Sequence, residues 1–179
     1  RSRSSGWSPA VHLSSHDGIR PAYDDKLAAF VPGGFAANHF GAGAIMGTFG
    51  QAAAIAEGAN AGASAATLAG FGTARPALAS ETMADESYGI EPVWTPATGG
   101  IGKAFVDSQS DVTAKDIKNA KDEGYLSIEH LKRYTALGMG TDQGKTSNIN
   151  ALAMMAEHRG ISIPEAGTTT FRPPYAPLA

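Results

Sequence analysis

The run Gly138-Met139-Gly140-Thr141-Asp142-Gln143-Gly144-Lys145-Thr146-Ser147-Asn148 combines the residue types that hold an anion. Gly144 lets the backbone bend closely, Lys145 carries charge, and Thr146, Ser147 and Asn148 offer donors where a helix is expected to start. The spacing is not that of a P-loop, which needs Gly, four residues, then Gly-Lys-Ser/Thr. Counting back from Gly144, the first glycine would have to stand where the chain has Met139. A P-loop also follows a strand, and this segment follows an expected helix. Two readings stay open: a phosphate site at a helix start, or a helix capped by Thr146 or Ser147.

A second cluster, Gly41-Ala42-Gly43-Ala44-Ile45-Met46-Gly47, comes close to the dinucleotide fingerprint G-x-G-x-x-G. Its third glycine falls one place late, so glycines that merely permit close helix packing are the alternative. His12 and His16 stand four apart, a zinc-binding spacing when both lie on one helix face. Here the pair is expected to run from a strand into a loop, no glutamate follows His12, and no metal site is expected. His39, His130 and His158 read as satisfied or surface histidines. The sequence contains no Gly-x-Ser-x-Gly elbow and no Cys, which leaves serine-hydrolase and thiol chemistry without support. Lys132-Arg133 reads as a solvated helix face.

The elements that must position these residues follow from periodicity and punctuation. Ala10-Val11-His12-Leu13 is expected as a short buried strand, with a second inside Asp24–Pro32. A Gly-rich turn leads into Gln51 to about Ala69, nearly all small residues, expected as a tightly packed helix. Prolines 76, 92 and 96 and Gly99-Gly100 make the following stretch linker-like, with a boundary near 75–100. Thr113-Ala114-Lys115-Asp116 has the form of a capping box, opening a helix to about Glu123 that stops at Gly124. Ser127 caps a second helix through Leu137, ended by Gly138. A third runs from about Thr146 to Arg159, ended by Gly160, with Ile149, Leu152, Ala153 and Ala156 as its buried stripe. The tail from Gly167 through Tyr175 is extended by its prolines.

The 179 residues carry 42% hydrophobic and 17% charged side chains, enough for one ordinary domain or two small ones. A net charge of −3 gives no electrostatic case for nucleic acid or an anionic membrane. The longest weakly polar stretch, Phe40–Ala56, is Gly and Ala with little Leu or Ile, too poor in bulk for a membrane span. The start, Arg1-Ser2-Arg3, reads as a chain already cut or begun mid-protein.

The run Tyr125-Leu126-Ser127-Ile128-Glu129-His130-Leu131-Lys132-Arg133-Tyr134-Thr135, continuing through Gly144–Asn148, resembles the alpha subunit of heterotetrameric sarcosine oxidase. So do the tail Gly167–Tyr175, the stretches Lys103–Asp107 and Asp111–Asp116, and, upstream, Ser5–Pro9 and Phe30–Gly33. The family's alpha subunit is several times longer, so the resemblance implies an internal fragment. It implies an α/β fold (part of a dinucleotide-binding domain) over 1–75, a linker over 76–103, a small all-α domain over 104–160, and an extended lead into a folate-binding domain over 161–179. A few short strands before about residue 35 and mostly helix from 48 onward are expected. In related amine dehydrogenases the helical domain carries cysteines for an iron–sulfur cluster; here Val106-Asp107-Ser108-Gln109 stands in their place, implying a structural domain.

In the family, sarcosine is oxidatively demethylated at a flavin adenine dinucleotide (FAD) held by the beta subunit. Electrons pass to a flavin mononucleotide (FMN) between alpha and beta and then to dioxygen, and the one-carbon unit goes to tetrahydrofolate. The resemblance implies that Gly43, Ala44, Phe49 and Gln51 line a nicotinamide-dinucleotide (NAD) pocket. It implies that Thr141, Gln143, Lys145, Thr146 and Ser147 approach the FMN, with Lys145 on its phosphate and Arg172 as a further contact. No catalytic residue and no metal ligand is assigned to this chain. The implied partners are the beta, gamma and delta subunits, in the cytoplasm. The isolated chain is expected to be inactive, and a non-enzymatic helical docking module is the alternative.

Overall fold

A computed structural model describes residues 8–72, 89–95 and 102–171, in two units, Gly6–Glu91 and Pro92–Ala179. In the first unit, the expected strand at 10–13 is replaced by a single helical turn, α1 (His12–Ser15). Periodicity cannot tell so short an apolar run from helix. Local bonds decide it: the hydroxyls of Ser14 and Ser15 both donate to the Val11 carbonyl, at 3.0 and 2.6 Å. The strands lie further on, β1 (Ala22–Asp24) and β2 (Ala29–Val31), paired antiparallel. Tyr23 sits opposite Phe30, their rings edge to face at 5.3 Å. The Asp24 carboxylate closes the hairpin by accepting from the Lys26 and Leu27 amides at 2.8 and 3.0 Å.

A 3₁₀ turn, Gly43–Met46, then leads to α2 (Gln51–Leu68). This helix matches the expected span but not the expected packing, because none of its residues is buried. Ala and Gly side chains have little apolar area to bury, so contact gains little. Its anchor is polar. Glu57 accepts from the Gly43 amide at 2.8 Å and from the Thr48 hydroxyl at 2.6 Å.

The second unit opens with a hairpin that no all-α domain would contain, β3 (Phe105–Asp107) and β4 (Val112–Thr113). The all-α expectation is corrected there. Four helices follow among the described residues: α3 (Ala114–Asp122), α4 (Ile128–Thr135), α5 (Asn148–Arg159) and α6 (Ile163–Ala166). Thr113 and Asp116 form the capping box read from the sequence, and Ser127 caps α4. Helix α4 stops at Thr135, two residues early, because Ala136 turns left-handed at φ 63°. α5 ends at Arg159 with Gly160 left-handed, as expected.

Residues 151–156 of α5 are all buried, so the helix is enclosed on every side rather than along one stripe, and Ile149 is only half-buried. Around it Val112, Ile117, Ala120, Ile128, Leu131 and Leu137 complete the core. The stretch expected to be extended from 161 instead begins with α6. There Ser162 and Glu165 form a second capping box, with Pro in the first turn.

Candidate functional site

The loop between α4 and α5 is held from below by the segment read as merely structural. Asp107 is 2% exposed, and its carboxylate accepts the Gly138 amide at 2.8 Å and the Gln109 amide at 3.0 Å. Gln109 Oε1 accepts the Thr141 hydroxyl at 3.0 Å and the Asp142 amide at 3.4 Å. Hairpin residues therefore fix both the start of the loop and its middle. Sequence reading passed over Asp107 and Gln109, because bonds spanning 31 to 33 residues leave no local signature.

The loop's own amides are taken by a carboxylate of the chain. Asp142 Oδ1 accepts from the Gly144 amide at 2.9 Å, and Oδ2 from the Thr146 amide at 3.1 Å and from the Thr146 hydroxyl. Burial works against ionisation of Asp142, but the Thr146 hydroxyl, the two amides and the charge of Lys145 outweigh it and lower its pKa. Neither hydroxyl caps α5 in the simple sense. Ser147 stands at the cap position, makes no capping bond, and is 1% exposed with its Oγ unpartnered.

Beneath the loop lies Asn148, whose Nδ2 donates to Thr169 Oγ1 at 3.0 Å. A Cβ added at Gly144 would lie 2.2 Å from its side chain, and one at Gly138 would lie 2.4 Å away. Glycine is needed at both places for close approach as well as for positive φ.

Of the FMN residues implied by the resemblance, Thr141, Gln143, Lys145 and Thr146 share this loop. Thr141, Lys145 and Thr146 are exposed. Gln143 is half-buried at φ 52°, with its Nε2 donating to the Gly140 carbonyl at 2.9 Å. Ser147, the fifth of these residues, is 1% exposed. Arg172 lies outside the described residues.

In the first unit, Ala44 and Phe49 line a largely apolar cavity of about 360 Å³ with Ser8, Pro9, Ala10 and Ile45. Gly43 is buried, its amide held by Glu57, and Gln51 is exposed at the start of α2. In the second unit, Gln143 joins Glu129, Lys132, Arg133 and Met139 around a cavity of about 200 Å³. His12 is buried and His16 is the C-cap of the same turn, so the two sit on one helical turn rather than across a strand and loop. Among the described residues no group of three His, Asp or Glu side chains is placed to hold a metal. No described helix is long and apolar enough to cross a membrane.

The fold is shared with an oxidoreductase of solved structure, L-proline dehydrogenase from P. horikoshii. The TM-score is 0.70 at 19% identity, covering 97% of this chain and 37% of that one. That likeness is one of fold. Residues 101–179 match the sarcosine oxidase A3 domain. The chain is 41% identical to the sarcosine oxidase subunit alpha of Corynebacterium sp. (strain P-1), and 42% identical to that of Rhizobium meliloti (strain 1021), over 97% of its length in each case. It belongs to the sarcosine oxidase alpha-subunit family, and spans 18% of the length of these two relatives.

Proposed function

We propose that the chain is a cofactor-contacting segment of a sarcosine oxidase alpha subunit, supporting oxidative demethylation of sarcosine with one-carbon transfer to tetrahydrofolate. The observation that carries this reading is the loop itself. Thr141, Gln143, Lys145 and Thr146 are gathered on one short stretch inside a match of about 40% identity.

In this reading the loop's side chains, not its amides, meet the FMN. A phosphate at the Gly144 and Thr146 amides would have to displace the Asp142 carboxylate, a group of the same sign. Lys145 supplies the opposite charge, Thr141 and Thr146 supply hydroxyls, and Asp107 and Gln109 keep the loop in shape.

The same logic applies to NAD. The apolar cavity beside Ala44 and Phe49 suits a ring of the dinucleotide, and its volume falls within the roughly 300–1,000 Å³ typical of small-molecule sites. The Gly43 amide, held by the Glu57 carboxylate, is not open to a pyrophosphate. FMN, when bound, supplies electron transfer; this chain supplies position and charge. The beta, gamma and delta subunits, the FAD and the tetrahydrofolate lie beyond this chain in the proposed complex, which is cytoplasmic. The test is the FMN content of the assembled complex carrying Lys145→Ala.

A docking module without cofactor is the second reading. Exposed Tyr125, Leu126, Tyr134 and Met139, with the Tyr125 and Tyr134 rings stacked at 4.5 Å, favour it as a contact surface. The two readings differ in whether Lys145→Ala changes flavin content or only subunit assembly.

A further inference from the structure

We propose that the cavity lined by Glu129, Lys132, Arg133, Met139 and Gln143 is a binding site for a single phosphate-type oxyanion. At about 200 Å³ it lies below the roughly 300 Å³ at which drug-sized ligand sites begin. A group fits; a whole nucleotide does not.

Its walls carry two cations against one carboxylate, and that carboxylate is spent. Glu129 Oε1 accepts the Thr170 amide at 2.6 Å and Oε2 accepts Arg133 Nη1 at 3.1 Å. Arg133 Nη1 also donates to the Glu129 carbonyl at 2.8 Å. The guanidinium keeps further N–H donors, since arginine has five and only those on Nη1 are committed by these bonds. Lys132 and Gln143 line the same space.

Both glycine-rich segments that could have cradled a phosphate through backbone amides have a carboxylate of the chain there already, Glu57 on Gly43 and Asp142 on Gly144 and Thr146. Side-chain cations are therefore the phosphate partners the second unit offers, and this cavity joins two of them to a confined volume.

The oxyanion has two sources, free phosphate in solution or the phosphate of a bound cofactor. Titration of the 179-residue chain with inorganic phosphate at low ionic strength, followed by ³¹P NMR, tests the site. Lys132→Gln keeps the Glu129–Arg133 pair and the Thr170 contact, and is expected to weaken phosphate binding roughly 10-fold or more. Met139→Trp fills the cavity without changing charge and is expected to weaken it likewise; thermal unfolding of both variants checks that they fold.

In the assembled complex, FMN content that falls in Lys132→Gln identifies the cofactor's phosphate as the source. Unchanged content beside lost phosphate binding identifies free phosphate. No phosphate binding by the wild-type chain, or binding that neither Lys132→Gln nor Met139→Trp weakens, overturns the proposal. The flavin reading fails on a different result, unchanged FMN content in Lys145→Ala, so the two failures are distinct.

Discussion

Asp107 and Gly138 are joined across 31 residues by a 2.8 Å hydrogen bond from the Gly138 amide to a carboxylate that is 2% exposed. Through this bond the hairpin sets where the α4–α5 loop begins. Asp107→Ala leaves a buried amide unpaired, a loss of about 1–3 kcal/mol of stability. Urea denaturation should show it, and Asp107→Asn, which keeps an acceptor, should lose less. Equal stability of the alanine variant and wild type would mean the bond does not anchor the loop.

Ser147 makes a second case, opposite in sign to ordinary capping. A capping hydroxyl replaced by alanine costs about 1 kcal/mol. Here the hydroxyl is buried without a partner, so Ser147→Ala should change stability by less than about 0.5 kcal/mol or raise it. Asp142→Ala, which frees the Gly144 and Thr146 amides, should cost about 1 kcal/mol. Thermal unfolding of the two variants side by side decides which residue holds the start of α5.

Gly144 and Gly160 both have positive φ, 77° and 64°, but different surroundings. A Cβ at Gly160 meets nothing within 4 Å, while one at Gly144 would lie 2.2 Å from the Asn148 side chain. Gly160→Ala should cost about 1 kcal/mol from the backbone alone, and Gly144→Ala clearly more, because the Asn148–Thr169 bond must also shift. Chemical denaturation that ranks them the other way would contradict the packing described under the loop.

What was legible in the sequence was local. Thr113 with Asp116, Ser127, and Gly160 each act within a few residues of their own position: the first two start a helix and Gly160 stops one, as their types dictate. Ser162-Ile163-Pro164-Glu165 carried the same signal and was overlooked beside the prolines of the tail. The β3–β4 hairpin was not legible, since strands of three and two residues are too short to show alternation. Nor was the role of Asp142. Only the folded turn shows its carboxylate filling the place where an anion was expected. The small residues of α2 were read as tight packing, yet small side chains permit approach without compelling it.

Acid should loosen the second unit. The pKa values of Asp116, Glu129, Asp142 and Glu165 are all lowered: Asp116 and Glu165 mainly by hydrogen bonds from Thr113 and Ser162, Glu129 and Asp142 against their own burial. A carboxylate depressed in the folded state contributes stability that is complete above its unfolded value, about pH 4, and is lost as pH falls through the folded value. Stability should therefore be flat above about pH 5 and fall below about pH 4, with the fall shallower in Asp142→Asn. Denaturation midpoints measured from pH 3 to pH 7 check this; a rise on acidification would contradict it.

The central claim is that the α4–α5 loop places Lys145 against the phosphate of FMN. An ionic hydrogen bond of that kind contributes roughly 1.5–3 kcal/mol, a roughly 10- to 100-fold change in affinity. The decisive measurement is FMN per assembled complex for wild type and Lys145→Ala, beside the thermal stability of each. The account predicts FMN affinity lowered by roughly that factor with stability changed by less than about 0.5 kcal/mol. Full FMN content in a normally assembled Lys145→Ala complex would contradict it.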